Sequence, residues 1–245
     1  MRVIRITRTT TAMARAAAMS EALFRLMSWL SPAYPVGAYA FSHGLEYAVD
    51  AGLVRDRDGA RDWIGTVMSV GNGYADLVFV GAACDIDAGR PTAPGELRGL
   101  NELALAFQGT AELRLESTAQ GRAFASVTAD AWPCAATAAL AQLARDEIVH
   151  AVAVGAVARS HGIGRTATLT AYAHAYAANL VSAAVRLIPL GQTDGQRITA
   201  ELMPVCLAAV ERAAATPVDE VSSSTPMVDL ASMKHEVQYT RLFRS

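Results

Sequence analysis

The stretch WIGTVMSVGNGYADLVFVG, residues 63–81, decides the fold class. Within it Trp63, Val67, Val70, Tyr74, Leu77 and Gly81 recur at steps of three and four, the period of a helix with a long core-facing stripe, not the alternation of a strand. Gly71 and Gly73 flank Asn72 in the middle, so a kink or a split is expected there. Asp56 or Asp58 can cap the start.

The same period governs the flanks. Upstream, Ser20 can cap a first helix whose stripe is Leu23, Leu26, Met27 and Leu30, with Pro32 beyond its end, and a second helix is expected over about 42–52. Downstream, helices are expected over 96–108, 112–130 and 134–159, the last with room for a break before Asp146. SHGIGR (160–165) reads as a loop, and Tyr172, Tyr176, Leu180, Ala184 and Leu187 line a helix that Pro189 ends. Thr193 and Gln196 have capping-box spacing ahead of a helix carrying Ile198, Leu202, Val205 and Ala209, which Pro204 should kink. TPVDEVSSSTP (216–226) reads as a linker, and only VIRI (3–6) carries a weak strand pattern. The expectation is an all-α, single-domain helical bundle over residues 20–226. A disordered arm (1–19) precedes it, and a flexible, partner-binding C-terminal tail (227–245) follows.

Composition sets the outer limits. With 52% hydrophobic and 18% charged residues and a net charge of −2 over 245 residues, the chain reads as globular, with no basic excess to suggest nucleic acid. The longest apolar runs, such as AVAVGAVA (151–158), stop well short of a membrane span. Cys84, Cys134 and Cys206 are dispersed, as buried thiols of a reducing cytosol would be. Residues 1–19 carry Arg2, Arg5, Arg8 and Arg15 and no acid. That resembles a transit peptide in composition, but without an apolar core it reads as an arm or as an over-extended start ahead of Met19.

Lysine usage gives a sharper exclusion. Lys234 is the only lysine, so the GK[ST] tripeptide of a phosphate loop does not occur, and GxSxG, HExxH and GxGxxG are missing as well. No cofactor is indicated.

Four polar clusters interrupt the apolar framework. In SPAYPVGAYAFSHGLE (31–46), Pro32 and Pro35 hold the chain extended, and His43 and Glu46 stand three apart. They suit a metal, a base with its orienter, or simply a hydrogen bond at the start of a helix. In the second, Glu112 and Glu116 share a helical face with Arg114 nearby, a pattern usually belonging to a solvated face. In RLIPLGQTDGQ (186–196), Arg186 is favoured by the helix C-terminus, and Gln192, Asp194 and Gln196 are turn and cap residues. The ending ASMKHEVQYTRLFRS (231–245) is too apolar for a solvated end, yet carries Lys234, His235, Glu236, Arg241 and Arg244 around Tyr239 and Phe243. It suits either a segment that orders on a partner or a last helix docked on its own domain.

Taken in order, SPAYPVGAYAFSHGLE, LRLESTAQG, AVRLIPLGQTDGQR and ASMKHEVQYTRLFRS resemble the landmarks of the urease accessory protein UreF family, from about residue 21 to the end. The resemblance implies an all-helical, non-catalytic, cytoplasmic homodimer that bridges the accessory protein UreD and the GTPase UreG on apo-urease. Its implied task is to couple GTP hydrolysis to Ni2+ delivery, with nickel held only transiently. It also implies that the polar clusters, Arg114, Gln192, Asp194 and Gln196 included, meet partners. Two other classes compete: a metal-dependent hydrolase using His43 and Glu46 with His235 and Glu236, and a purely structural helical subunit.

Overall fold

The computed structural model describes residues 3–143 and 147–244, with side chains from Ala16 onward. Among them are eleven α-helices and no strand. The helices are α1 (Val3–Trp29), α2 (Leu45–Asp50), α3 (Arg57–Val70), α4 (Asn72–Asp85), α5 (Ala93–Ala106), α6 (Ala111–Ala131), α7 (Ala135–Leu140), α8 (His150–Ser160), α9 (Arg165–Leu187), α10 (Gln192–Ala215) and α11 (Pro226–His235).

The decisive stretch forms α3 and α4, split at Gly71 as expected, with the Asp56 side chain accepting from the Gly59 N–H to cap α3. By length and composition residues 57–85 could cross a membrane, but 83% of that apolar window is buried inside the protein. It is core instead. In α4 every residue from Asn72 to Cys84 except Ala82 is buried, and in α8 Ala151 to Ala158 all are. A helix with no polar face must be covered on all sides. α4 and α8 accordingly pack on each other, with α3, α9 and α10 around α4 and with α6 and α7 against α8.

Their approach is set by Gly155 of α8. A Cβ there would stand 2.4 Å from the Val80 carbonyl oxygen and 2.7 Å from the Ala83 Cβ, so only hydrogen fits. Edge-to-face contacts of Trp29 with Phe124 (6.3 Å) and Trp132 (6.0 Å) pin the end of α1.

The structure differs from several expectations. The first helix starts at Val3, so residues 3–19 of the segment expected as an arm are helical, and Ser20 lies inside that helix with its hydroxyl on the Ala16 carbonyl. Of the expected stripe, Leu26 is buried but Leu23 and Met27 face outward, and Trp29 takes their place. VIRI belongs to the same helix. The stretch 216–226 does not hang free: it contains a 3-10 turn (Val218–Glu220), its Ser224 N–H donates to the Val70 carbonyl (2.7 Å), and Thr225 is buried. The C-terminal residues are docked, with α11 against α2 and α6 and Phe243 4% exposed. The break expected near Asp146 adjoins residues outside those described, and α7 and α8 lie on either side of it.

Replacing Gly155 by alanine should force α4 and α8 apart and cost about 2–3 kcal/mol, lowering the melting temperature by roughly 5–10 °C. Gly99 of α5, with open space around it, serves as the control. Gly99→Ala should leave the melting temperature unchanged or raise it slightly.

Candidate functional site

The chain turns into α2 through two left-handed residues, His43 (φ 58°) and Gly44 (φ 75°). Glycine is required at 44, because a Cβ would meet the Ser232 backbone nitrogen of α11 at 2.7 Å. A left-handed histidine is costly and persists only when its surroundings hold it. Here they do: His43 Nδ1 lies 3.4 Å from Glu116 Oε2, and the Tyr176 hydroxyl is 3.2 Å from both ring nitrogens.

This turn sends His43 and Glu46 to different places, so their spacing of three does not make them a joint site. Glu46, in the first turn of α2, accepts from His235 Nε2 (3.0 Å) and from the backbone N–H groups of Leu242 (2.6 Å) and Phe243 (2.9 Å). His235 Nδ1 lies 2.9 and 3.0 Å from the two oxygens of Glu112, and Arg241 Nη1 is 3.3 Å from Glu112 Oε1. His235 is completely buried. Burial alone would lower its pKa, but the hydrogen bonds and charges of Glu112 and Glu46 more than reverse this and raise it.

The solvated face expected for Glu112 and Glu116 is corrected: both are buried, because α11 and the turn at His43 close over that side of α6. Arg114 points outward and pairs with Glu147 at 2.7 Å.

On the other side of Glu116 lies a cavity of about 200 Å3, walled by Trp29, Tyr34, Leu113, Tyr172, Tyr176 and Leu180, with Asp76, Gln120, Asn72 and Ser117 on its surface. Sequence reading missed Asp76 and placed Tyr172 and Tyr176 only in a core stripe. The available signal was a single acid in the otherwise apolar run of α4. Tyr172 donates to Asp76 Oδ2 at 2.8 Å. Burial pushes the Asp76 carboxyl up to about 6, against the pull of the Tyr172 hydroxyl and His43 and with a push from Glu116. Burial also carries Tyr172 and Tyr176 well above the ordinary phenol range.

The remaining candidates divide between the docked tail and open surface. Arg186 stacks on Phe243 (4.3 Å) and donates to the carbonyls of Tyr39 (2.8 Å) and Ser182 (3.1 Å). Arg244 donates its backbone N–H to Ala40 (2.7 Å) with its guanidinium 5.7 Å from the Phe41 ring. Gln192, Asp194 and Gln196 sit in the first turns of α10, where the Gly191 N–H reaches Asp194 Oδ2 (3.4 Å) in place of the expected Thr193–Gln196 box, and Asp194 pairs with Arg197 at 3.0 Å. Lys234, Glu236 and Tyr239 are exposed.

The four residues of a hydrolase site do not converge: His235 has both ring nitrogens on carboxylates, His43 is on Glu116, and Glu236 faces away from them. Among the described residues no three histidine, cysteine or acidic side chains stand together as a metal would require.

Asp76→Asn keeps the acceptor for Tyr172 and removes a charge that is costly to bury. Because the folded pKa is raised, the native state binds the proton more tightly than the unfolded chain, and stability is lost as pH climbs from about 4 to about 6. The variant should gain about 2–3 kcal/mol over the wild type above pH 6.5 and nothing below pH 4, read as the difference in urea midpoints.

Comparison with known proteins then bears on this geometry. The family model for UreF matches residues 54–203. A urease accessory protein UreF of Rhodopseudomonas palustris (strain BisB5) is 46% identical over 100% of both chains, residues 1–19 included. One from Bradyrhizobium diazoefficiens is 45% identical over 94% of each chain, and one from Granulibacter bethesdensis is 48% identical over 91% of this chain and 94% of its own. The helices, the buried carboxylate–histidine bridge and the cavity described above therefore belong to a member of the urease accessory protein UreF family.

Proposed function

We propose that this protein bridges UreD and the GTPase UreG on apo-urease and couples GTP hydrolysis to delivery of Ni2+ into the urease active site. In this reading it works as a non-catalytic, cytoplasmic homodimer, and nickel is cargo rather than a resident cofactor. With no phosphate loop in the chain, the nucleotide chemistry comes from the partner.

The observation that carries the reading is a pair of exposed apolar rows on different helices. On α1, Met19, Leu23, Phe24 and Met27 are 58–70% exposed. On α11 and just after it, Met227, Leu230, Met233 and Val237 are 46–80% exposed, and Tyr239 is fully so. Rows of this kind on a folded chain fit a scaffold with more than one partner. The C-terminal row, rimmed by Lys234, Glu236 and Arg241, suits UreD, and the α1 row suits a second copy or UreG. Arg186, engaged by Phe243 and two carbonyls, acts in this reading on the tail.

Val237→Asp combined with Tyr239→Ala should cut co-purification with UreD at least tenfold and lower urease activation with it. The melting temperature should stay within about 1–2 °C, because exposed side chains contribute little to folding. Undiminished UreD capture by this variant would remove the C-terminal row from the reading.

A further inference from the structure

His235 bridges two carboxylates, with Nε2 at 3.0 Å from Glu46 and Nδ1 at 2.9 Å from Glu112. A neutral imidazole has one N–H, so one of its nitrogens would turn a lone pair toward a carboxylate at 3 Å. Only the imidazolium donates to both. With Arg241 on Glu112, the cluster then holds two negative and two positive charges, and each is spoken for.

The same Glu46 carboxylate that takes the histidine proton also takes the N–H groups of Leu242 and Phe243. The anchor of the chain end and the anchor of the proton are therefore one group. We propose that Glu46, His235 and Glu112 form a proton-operated latch: with His235 protonated, residues 236–244 are fastened to α2, and loss of that proton frees them while the helical body stays folded.

Among the described residues the surroundings offer no substitute charge. In the turn before α2, His43 is committed to Glu116, and on α6 the next acid is Glu116 itself. On α11, Asp229 lies in the first turn and Lys234 is exposed, with Glu236 exposed just beyond the helix. From α9 comes Arg186, stacked on Phe243, and from the tail Arg244 lies near Phe41. Once His235 is neutral, Glu112 keeps Arg241 at 3.3 Å, while Glu46 has lost its cation and keeps only the N–H groups of Leu242 and Phe243; a buried, under-compensated carboxylate is strongly disfavoured. Glu46 regains solvation by letting go of the chain end.

The sign follows from the raised pKa of His235. Stabilisation by the imidazolium is complete below about pH 6.5, the ordinary value, and is lost as pH rises through the higher folded value. Opening should increase about tenfold per pH unit across that interval and then level off. The inference stands independently of the partners proposed above.

The test uses the full chain in solution. Proton exchange at the Leu242 and Phe243 amides, corrected for the intrinsic pH dependence, is followed by nuclear magnetic resonance from pH 6 to 9.5 alongside the ring signal of His235. Expected is a loss of protection at both amides that tracks the His235 titration, with the amides of α4 and α8 unaffected. Glu46→Gln keeps an acceptor but removes the charge, and should shift both the titration and the opening to lower pH. His235→Gln should leave the segment open at every pH. Protection at Leu242 and Phe243 that is indifferent to the His235 titration would overturn the latch, as would the wild-type pH dependence in His235→Gln or simultaneous loss of protection in α4 and α8. Where circular dichroism shows that a variant does not fold, the wild-type titration decides the matter alone.

Discussion

Everything in this fold answers to one constraint, the contact between two helices that have no polar face. α4 and α8 can exist in water only if other helices cover them, and Gly155 lets their backbones approach closely enough to leave no gap. The order of the remaining helices follows from that need. Apolar burial of this extent is the dominant favourable term, and it lets the chain carry polar groups in places that would otherwise be too costly.

Those places lie along one side of α6. Glu112 and Glu116, one turn apart, receive a histidine each, His235 from the C-terminal segment and His43 from the turn before α2. Neither histidine is near α6 in sequence. The pairing brings residue 46 and residue 235 into contact across the whole chain, so the C-terminal residues close the domain instead of trailing from it. Buried ion pairs of this kind add little net stability compared with apolar packing, but they fix one arrangement among several.

How much of this could be read from the sequence depends on the range of the interaction. Helical period located α3, α4 and the split at Gly71, because period and glycine are local properties. The same spacing rule correctly put Glu112 and Glu116 on one face of α6, yet could not show that the face is buried, since what covers it comes from the turn at His43 and from α11, both far away in the chain. For His43 and Glu46 the rule misled, because it assumes right-handed helical backbone and His43 is left-handed. Asp76 escaped notice for the opposite reason. A lone acid in an apolar run looks like an interruption of the core until its tyrosine partner, ninety-six residues on, is known.

The cavity and the C-terminal segment are consequently not independent. Glu116 faces the cavity and Glu112 faces the tail, and a rigid helical turn joins them. On the opposite side His43 and Glu46 are joined by the turn at Gly44, which is pressed against Ser232 of α11. A partner that pulls on α11 therefore acts on that turn directly. The two carboxylates of α6 thus join the seat of the last residues to one wall of the cavity.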